Sequence, residues 1–131
     1  ADSLSIAMQL CNFWRDIGED WQRGRIYLPL EDMHTFQVSE SDIGAGEISP
    51  QFIDLLEYEF DRTERYYSHA KHGIPMLAAG NWAIASALEI YQAIIPDIRA
   101  HHYNVFSRRA GSSTQKKIFL LIKAYQYTRK I

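Results

Sequence analysis

Ser5, Gln9, Asn12, Asp16 and Asp20 fall on one line of an otherwise apolar opening segment, and that line restricts what this chain can fold into more than any other feature. At about 100° per residue, these side chains project from a helix within an arc of roughly 80°. Leu4, Ala7, Met8, Leu10, Cys11, Phe13, Trp14 and Ile17 occupy much of the remaining circumference. A surface helix carries a broad polar face of long, mobile side chains. A narrow stripe of amides and carboxylates among apolar neighbours belongs instead to a helix buried on more than one side. Buried carboxylates must be paired or coordinated, so the stripe is expected to face a wet or ion-filled cavity.

The rest of the chain also reads as helical, and no stretch shows the alternation of a strand. The opening helix is expected over about Ser3–Gln22, which holds no Pro. Arg23 to Pro29 is a connector. Leu30–Phe36 is a short helix, and Ser39 caps another that ends near Gly44 and Gly46. Ser49-Pro50 is a strong start signal, a capping Ser followed by Pro at the first helical position. From there Phe52, Leu55, Leu56, Glu59, Phe60, Thr63 and Tyr67 recur at helical spacing, with Gly73 as the stop. A further helix is expected from Asn81 through about His102, kinked by Pro96. A polar loop follows over Asn104–Thr114, and Thr114 caps a last helix, Gln115–Arg129. The fold class is all-α, and the expected element count is three long helices, one further C-terminal helix and two short ones.

Composition removes several function classes. The chain has 131 residues and a formal net charge of −2, which suits one domain and lacks the basic excess of a nucleic-acid binder. Cys11 is the single cysteine, so an internal disulfide framework and a cysteine zinc site are excluded. A reducing, cytoplasmic setting follows. No apolar run approaches the roughly 20 residues that span a bilayer. The chain opens on Ala1 with no basic leader and is read as starting inside a larger fold.

The stripe suggests chemistry. Asp16 and Asp20, at i and i+4, are neighbours on one face, and adjacent carboxylates repel unless a cation or a proton lies between them. Two carboxylates plus the Asn12 amide oxygen make an oxygen-only donor set of the kind magnesium takes, shared with phosphate oxygens. Arg15, Arg23 and Arg25 flank the stripe, and Arg offers a planar fork to phosphate. Two Asp at this spacing are equally the solvated end of an ordinary helix, but Gln9 and Asn12 on the same face favour the metal. The adjacent His101 and His102 would point about 100° apart on a helix, which argues against a metal pair. Cys11 is a small core residue.

The ordered stretch from Gln9-Leu10-Cys11-Asn12-Phe13-Trp14-Arg15-Asp16-Ile17-Gly18-Glu19-Asp20 to Arg23-Gly24-Arg25-Ile26-Tyr27-Leu28-Pro29 resembles the second aspartate-rich signature of the squalene/phytoene synthase family. His102-Tyr103-Asn104-Val105-Phe106-Ser107-Arg108-Arg109-Ala110 is similar to a second family segment, and Asn81-Trp82-Ala83 to Tyr91 resembles the helix before it. The Tyr-Leu-Pro ending is more like the phytoene and dehydrosqualene synthase branch.

The resemblance implies an isoprenoid synthase fold, a helical bundle around a central cavity. Residues 1–131 would be the C-terminal part of a single domain, with the first aspartate motif preceding Ala1. It implies head-to-head condensation of two geranylgeranyl diphosphates to phytoene through a cyclopropyl diphosphate, in carotenoid biosynthesis. The alternatives are a squalene, dehydrosqualene or hydroxysqualene synthase using farnesyl diphosphate, or a non-catalytic relative that binds lipid or a partner. The implied cofactor is magnesium, with manganese as the substitute and no nicotinamide. Carried over by position, Asn12, Asp16 and Asp20 resemble metal ligands, Asp16, Asp20, Arg15 and Tyr103 resemble catalytic residues, and Asn12 also resembles a substrate-binding residue. Gln9 and Arg15 resemble residues that contact or orient the diphosphate. Tyr103 resembles a substrate-contacting hydroxyl and Arg108 or Arg109 a phosphate partner; a buried Tyr and a solvated Arg pair are the alternatives. Trp14 and Phe13 either shape the tunnel or pack the core. The expected partners are prenyl diphosphates, not nucleic acid. Peripheral membrane attachment is the alternative to a purely cytoplasmic location, because the product is a hydrocarbon.

Overall fold

The computed structural model describes residues 2–73 and 89–107. All regular structure among them is helical: α1 (Asp2–Arg15), α2 (Ile17–Gln22), α3 (Leu30–Thr35), α4 (Glu40–Ala45), α5 (Pro50–Gly73) and α6 (Ile94–Ala100). None of these helices is long and apolar enough to cross a membrane.

The core forms where α1 lies along α5. Every position of the sequence periodicity in α5 is buried: Phe52, Leu55, Leu56, Glu59, Phe60, Thr63 and Tyr67. Ala7, Leu10, Cys11 and Trp14 meet them from α1, and Ile94, Ile95 and Ile98 from α6. Full burial of each large apolar side chain contributes about 2–3 kcal/mol. Two polar contacts fix the register of α1 on α5. The Trp14 indole N–H donates to Thr63 Oγ1 at 2.9 Å, and the Tyr67 hydroxyl donates to Cys11 Sγ at 3.1 Å. Trp14 and Cys11 are thus core residues. Phe13 is half-buried and stacks on Tyr27, with ring centroids 4.5 Å apart.

The cap signals act as read. The Ser49 hydroxyl accepts the Phe52 N–H at 3.1 Å at the start of α5. Ser39 and Asp42 form a reciprocal capping box on α4, which ends at Gly46 in the left-handed region, φ 65°.

Two expectations change, and one at Pro96 holds. The opening helix is not continuous to Gln22: it breaks at Asp16, which takes φ −102° and ψ 15° between α1 and α2. The Gly18 N–H there donates to Val105 O at 3.1 Å, outside the helical ladder. The late helix is disturbed beside Pro96, as expected: Ala93 keeps helical dihedrals, φ −70° and ψ −15°, its N–H donates to Glu89 O and its carbonyl accepts the Asp97 N–H, both at 3.2 Å. Residues 89–92 are helical, Ala93 lies between, and α6 starts at Ile94. Pro96 then sits in the first turn of α6, where its missing N–H costs no bond. The second change is that the helix ends before His102: His101 caps α6, and His102 and Tyr103 are left-handed at φ 57° and 61°. The expected start of the late helix at Asn81, Arg108, Arg109 and the helix 115–129 lie outside the described residues.

Candidate functional site: the polar stripe of α1 and α2

The side chains of α1 that enter the core centre on Ala7, Cys11 and Trp14. At about 100° per residue, the stripe lies on the opposite side of the helix. Ser5 and Gln9 are exposed, and Asn12, Asp16 and Asp20 are half-buried. Ile6 is 38% exposed, and Met8 and Phe13 are half-buried. The stripe is therefore flanked by apolar groups and turned away from α5.

The break at Asp16 shapes the centre of the stripe. Residues adjacent on a regular helix diverge, yet Arg15 and Asp16 form a bidentate pair, Nε to Oδ1 at 2.8 Å and Nη2 to Oδ2 at 3.0 Å. Both side chains are about four-fifths buried, at 19% and 18% exposure. This pair holds the Arg15 guanidinium firmly protonated, against the opposing effect of its own burial.

Asp20 is electrostatically linked to Asp16. Burial first, and then the Asp16 charge, push the Asp20 carboxyl up, while Arg23 and Arg25 pull it back. Asn12 Oδ1 is buried and has no hydrogen-bond partner. An amide oxygen left in that state costs about 1–3 kcal/mol, so it is an acceptor position suited to a donor or a cation. The donor set is oxygen only, and the uncompensated amide oxygen belongs to the residue one turn before Asp16 on the stripe. That set fits a hard divalent cation with part of its shell left to water and phosphate. Among the described residues no three His, Cys, Asp or Glu side chains converge on one point, so such an ion would take at most two carboxylates here.

The structure gathers Asn12, Arg15, Asp16 and Asp20 at one bend, with Gln9 on the same side of α1. Tyr103 lies elsewhere among the described residues. Its ring stacks on Phe60 at 6.4 Å, and burial, then the nearby Glu57 carboxylate, raise its hydroxyl pKa. Glu57 and Glu64 of α5 also hold Arg99 of α6, at 2.9 and 3.1 Å. The half-buried Tyr with a local partner thus describes its surroundings here.

Two features escaped the sequence reading. One is the contact of Gly18 with residues 105–106, whose signal is a glycine inside a helical pattern. The other is Glu59, fully buried beside Asp32, with neither carboxylate oxygen in a well-formed hydrogen bond. Its signal is a carboxylate at a core position of the α5 period.

Comparison with known proteins bears on the family and the fold. A family model described as squalene/phytoene synthase matches residues 1–116. The chain is 43% identical over 126 residues to a 15-cis-phytoene synthase of Synechocystis sp., which covers 95% of this chain and 37% of that protein. It is 38% identical over 122 residues to a phytoene synthase of Arthrospira platensis, covering 92% and 40%. The chain thus spans about two fifths of the length of these relatives. A solved dehydrosqualene synthase in complex with ligand is similar with a TM-score of 0.90 and 33% identity, over 98% of this chain and 46% of that one. The described helices are those of the all-α isoprenoid synthase fold.

Proposed function

This chain belongs to the squalene/phytoene synthase family, and we propose that the protein it represents condenses two geranylgeranyl diphosphates head to head to phytoene, in carotenoid biosynthesis. The observation that carries this reading is the oxygen-bearing stripe set on the side of α1 opposite the core, with Asn12 Oδ1 buried and unpartnered. The names of the relatives point the same way. Use of farnesyl diphosphate is the second reading, favoured by the likeness to the dehydrosqualene synthase. Residues 1–131 are proposed as the C-terminal part of the synthase domain. The working location is the cytoplasm, with attachment at the surface of a membrane that receives the hydrocarbon product.

Asn12, Asp16 and Asp20 would hold magnesium. When bound, that ion supplies positive charge to the departing diphosphate. The remaining work falls to the chain itself. The Arg15 fork presents two parallel N–H donors, now spent on Asp16, whose geometry also matches phosphate oxygens. Gln9 is exposed on the same side and orients the diphosphate. Tyr103 and Arg108 are proposed to contact substrate. Ile6, Met8 and Phe13 line the borders of the stripe with apolar surface, which keeps water from an allylic cation.

The test is the full-length protein carrying Asp16→Asn. Loss of product by orders of magnitude, with helix content unchanged by circular dichroism, is the expected result. Undiminished turnover in a folded variant would remove the enzyme reading.

A further inference from the structure

The backbone at Gly18 is packed more closely than a helix break requires. A Cβ placed there would lie 2.7 Å from Val105 O and 2.8 Å from both Phe106 Cα and Phe106 O. These are main-chain atoms, which cannot rotate aside. Gly18 is not among the residues of positive φ, so space rather than backbone conformation demands glycine.

The approaching segment is fixed from behind. Val105 is 3% exposed, and the Phe106 ring packs on Phe52 at 5.2 Å. Asn104 and Ser107 are joined twice, Nδ2 to Oγ at 2.7 Å and Ser107 N–H to Asn104 Oδ1 at 3.2 Å. Tyr103 is stacked on Phe60. Upstream, His102 and Tyr103 both take left-handed conformations that L residues rarely adopt. Such backbone persists only where its surroundings over-determine it. The segment 103–107 is thus a pinned piece of chain, and its contact point lies between Asp16 and Asp20.

We propose that residues 103–107 form a strut whose contact with Gly18 sets the break at Asp16, making Gly18 and Asn104 positioning residues for the two carboxylates. On an unbroken helix Arg15 and Asp16 would diverge by about 100°. The break lets them close a bidentate pair and sets the direction of Asp16 relative to Asp20. The strut also carries Tyr103, so one contact registers the opening helices against the late segment. The inference rests on the reading of the stripe as a magnesium–diphosphate site.

The experiment uses the full-length protein with Gly18→Ala and, separately, Asn104→Ala. Binding of magnesium with inorganic diphosphate is measured by calorimetry, and turnover is titrated with magnesium. Partners that orient metal ligands typically change affinity or activity by about 10–100-fold when removed. Gly18→Ala is expected to weaken magnesium–diphosphate binding within that range and to raise the magnesium concentration at half-maximal turnover. Asn104→Ala should shift both severalfold in the same direction. A purely structural role would lower the folded fraction and leave both constants unchanged per folded molecule. If Gly18→Ala does not fold, Asn104→Ala decides alone. Wild-type constants in the folded variants overturn the strut. The two readings separate through Asp16→Asn. If that variant loses magnesium–diphosphate binding while the strut variants keep it, only the strut fails. If it binds as wild type does, the site reading fails and takes the strut with it.

Discussion

Replacing Glu59 with Gln should stabilise the protein at alkaline pH and leave it nearly unchanged at acid pH. Glu59 is 0% exposed, within the α5 face that meets α1 and α3. Burial, then the neighbouring Asp32 carboxyl, raise its pKa from 4.5 to about 8, and Arg62, at 3.2 Å, opposes them. Below pH 4.5 the group is protonated in both folded and unfolded chains. Between pH 4.5 and about 8 the unfolded chain releases its proton first. The unfolded state then binds fewer protons, and stability falls as pH rises. Each unit within that window costs about 1.4 kcal/mol. Solvent screening at the half-exposed Arg62 side of the group reduces the total, which leaves a loss on the order of 3 kcal/mol by pH 8.

Gln has the shape of the protonated acid and keeps a donor for Asp32, but it does not titrate. It gives up the pair with Arg62, whose half-exposed guanidinium loses about 1 kcal/mol on turning to water. Urea unfolding of full-length wild type and Glu59→Gln, followed by far-ultraviolet dichroism at pH 5 and pH 8, measures the difference. The variant should exceed wild type by about 3 kcal/mol at pH 8 and match it within about 1 kcal/mol at pH 5. A variant less stable than wild type at pH 8 would refute the reasoning, because it would mean that Glu59 is ionised in the fold and held by Arg62.

Two further substitutions test the packing. Gly46→Ala should cost about 1–2 kcal/mol in the same unfolding assay; the added Cβ would sit an ordinary 3.6 Å from the Phe106 ring, so the loss is one of backbone conformation at φ 65° alone. Trp14→Phe removes the donor to Thr63, which still donates to Glu59 O at 2.8 Å, and opens space in the core; a loss of about 1–3 kcal/mol is expected, and one below about 0.5 kcal/mol would show that this hydrogen bond does not fix α1 on α5.

The fold was legible where neighbours in sequence decide it. The Ser49-Pro50 start, the Ser39–Asp42 box and the α5 period need only residues within a turn or two, and each appears as read. The break at Asp16 was not legible, because its cause is Val105 and Phe106, distant in sequence and brought to Gly18 by tertiary packing. Pro96 was legible as a disruption but not as a position. The disturbance falls on one residue, Ala93, which keeps helical dihedrals while Pro96 sits in the turn that follows. Within the stripe, residue types and spacing were readable in advance. The Arg15–Asp16 pair was not, since it exists only because the helix breaks between them.

That pair bears on why the opening helix tolerates two opposed faces. One side of α1 is fully committed to α5, and no further burial on that side is available to it. The other side holds two carboxylates and an unsatisfied amide oxygen between exposed or half-buried Ile6, Met8 and Phe13. Packed against apolar surface such groups would cost several kcal/mol. Left wholly to water, the flanking apolar residues would serve nothing. Arg15 resolves part of the conflict by neutralising Asp16 from within the chain. In the proposed site a bound cation would have to share or displace that guanidinium, and a displaced Arg15 would then lie beside the accompanying anion. On the proposed reading the same guanidinium would act as counter-ion to Asp16 and, with the ion bound, as phosphate donor, so Arg15→Lys is expected to be a poor substitute: a point charge can do the first task but cannot offer the planar fork that the second needs.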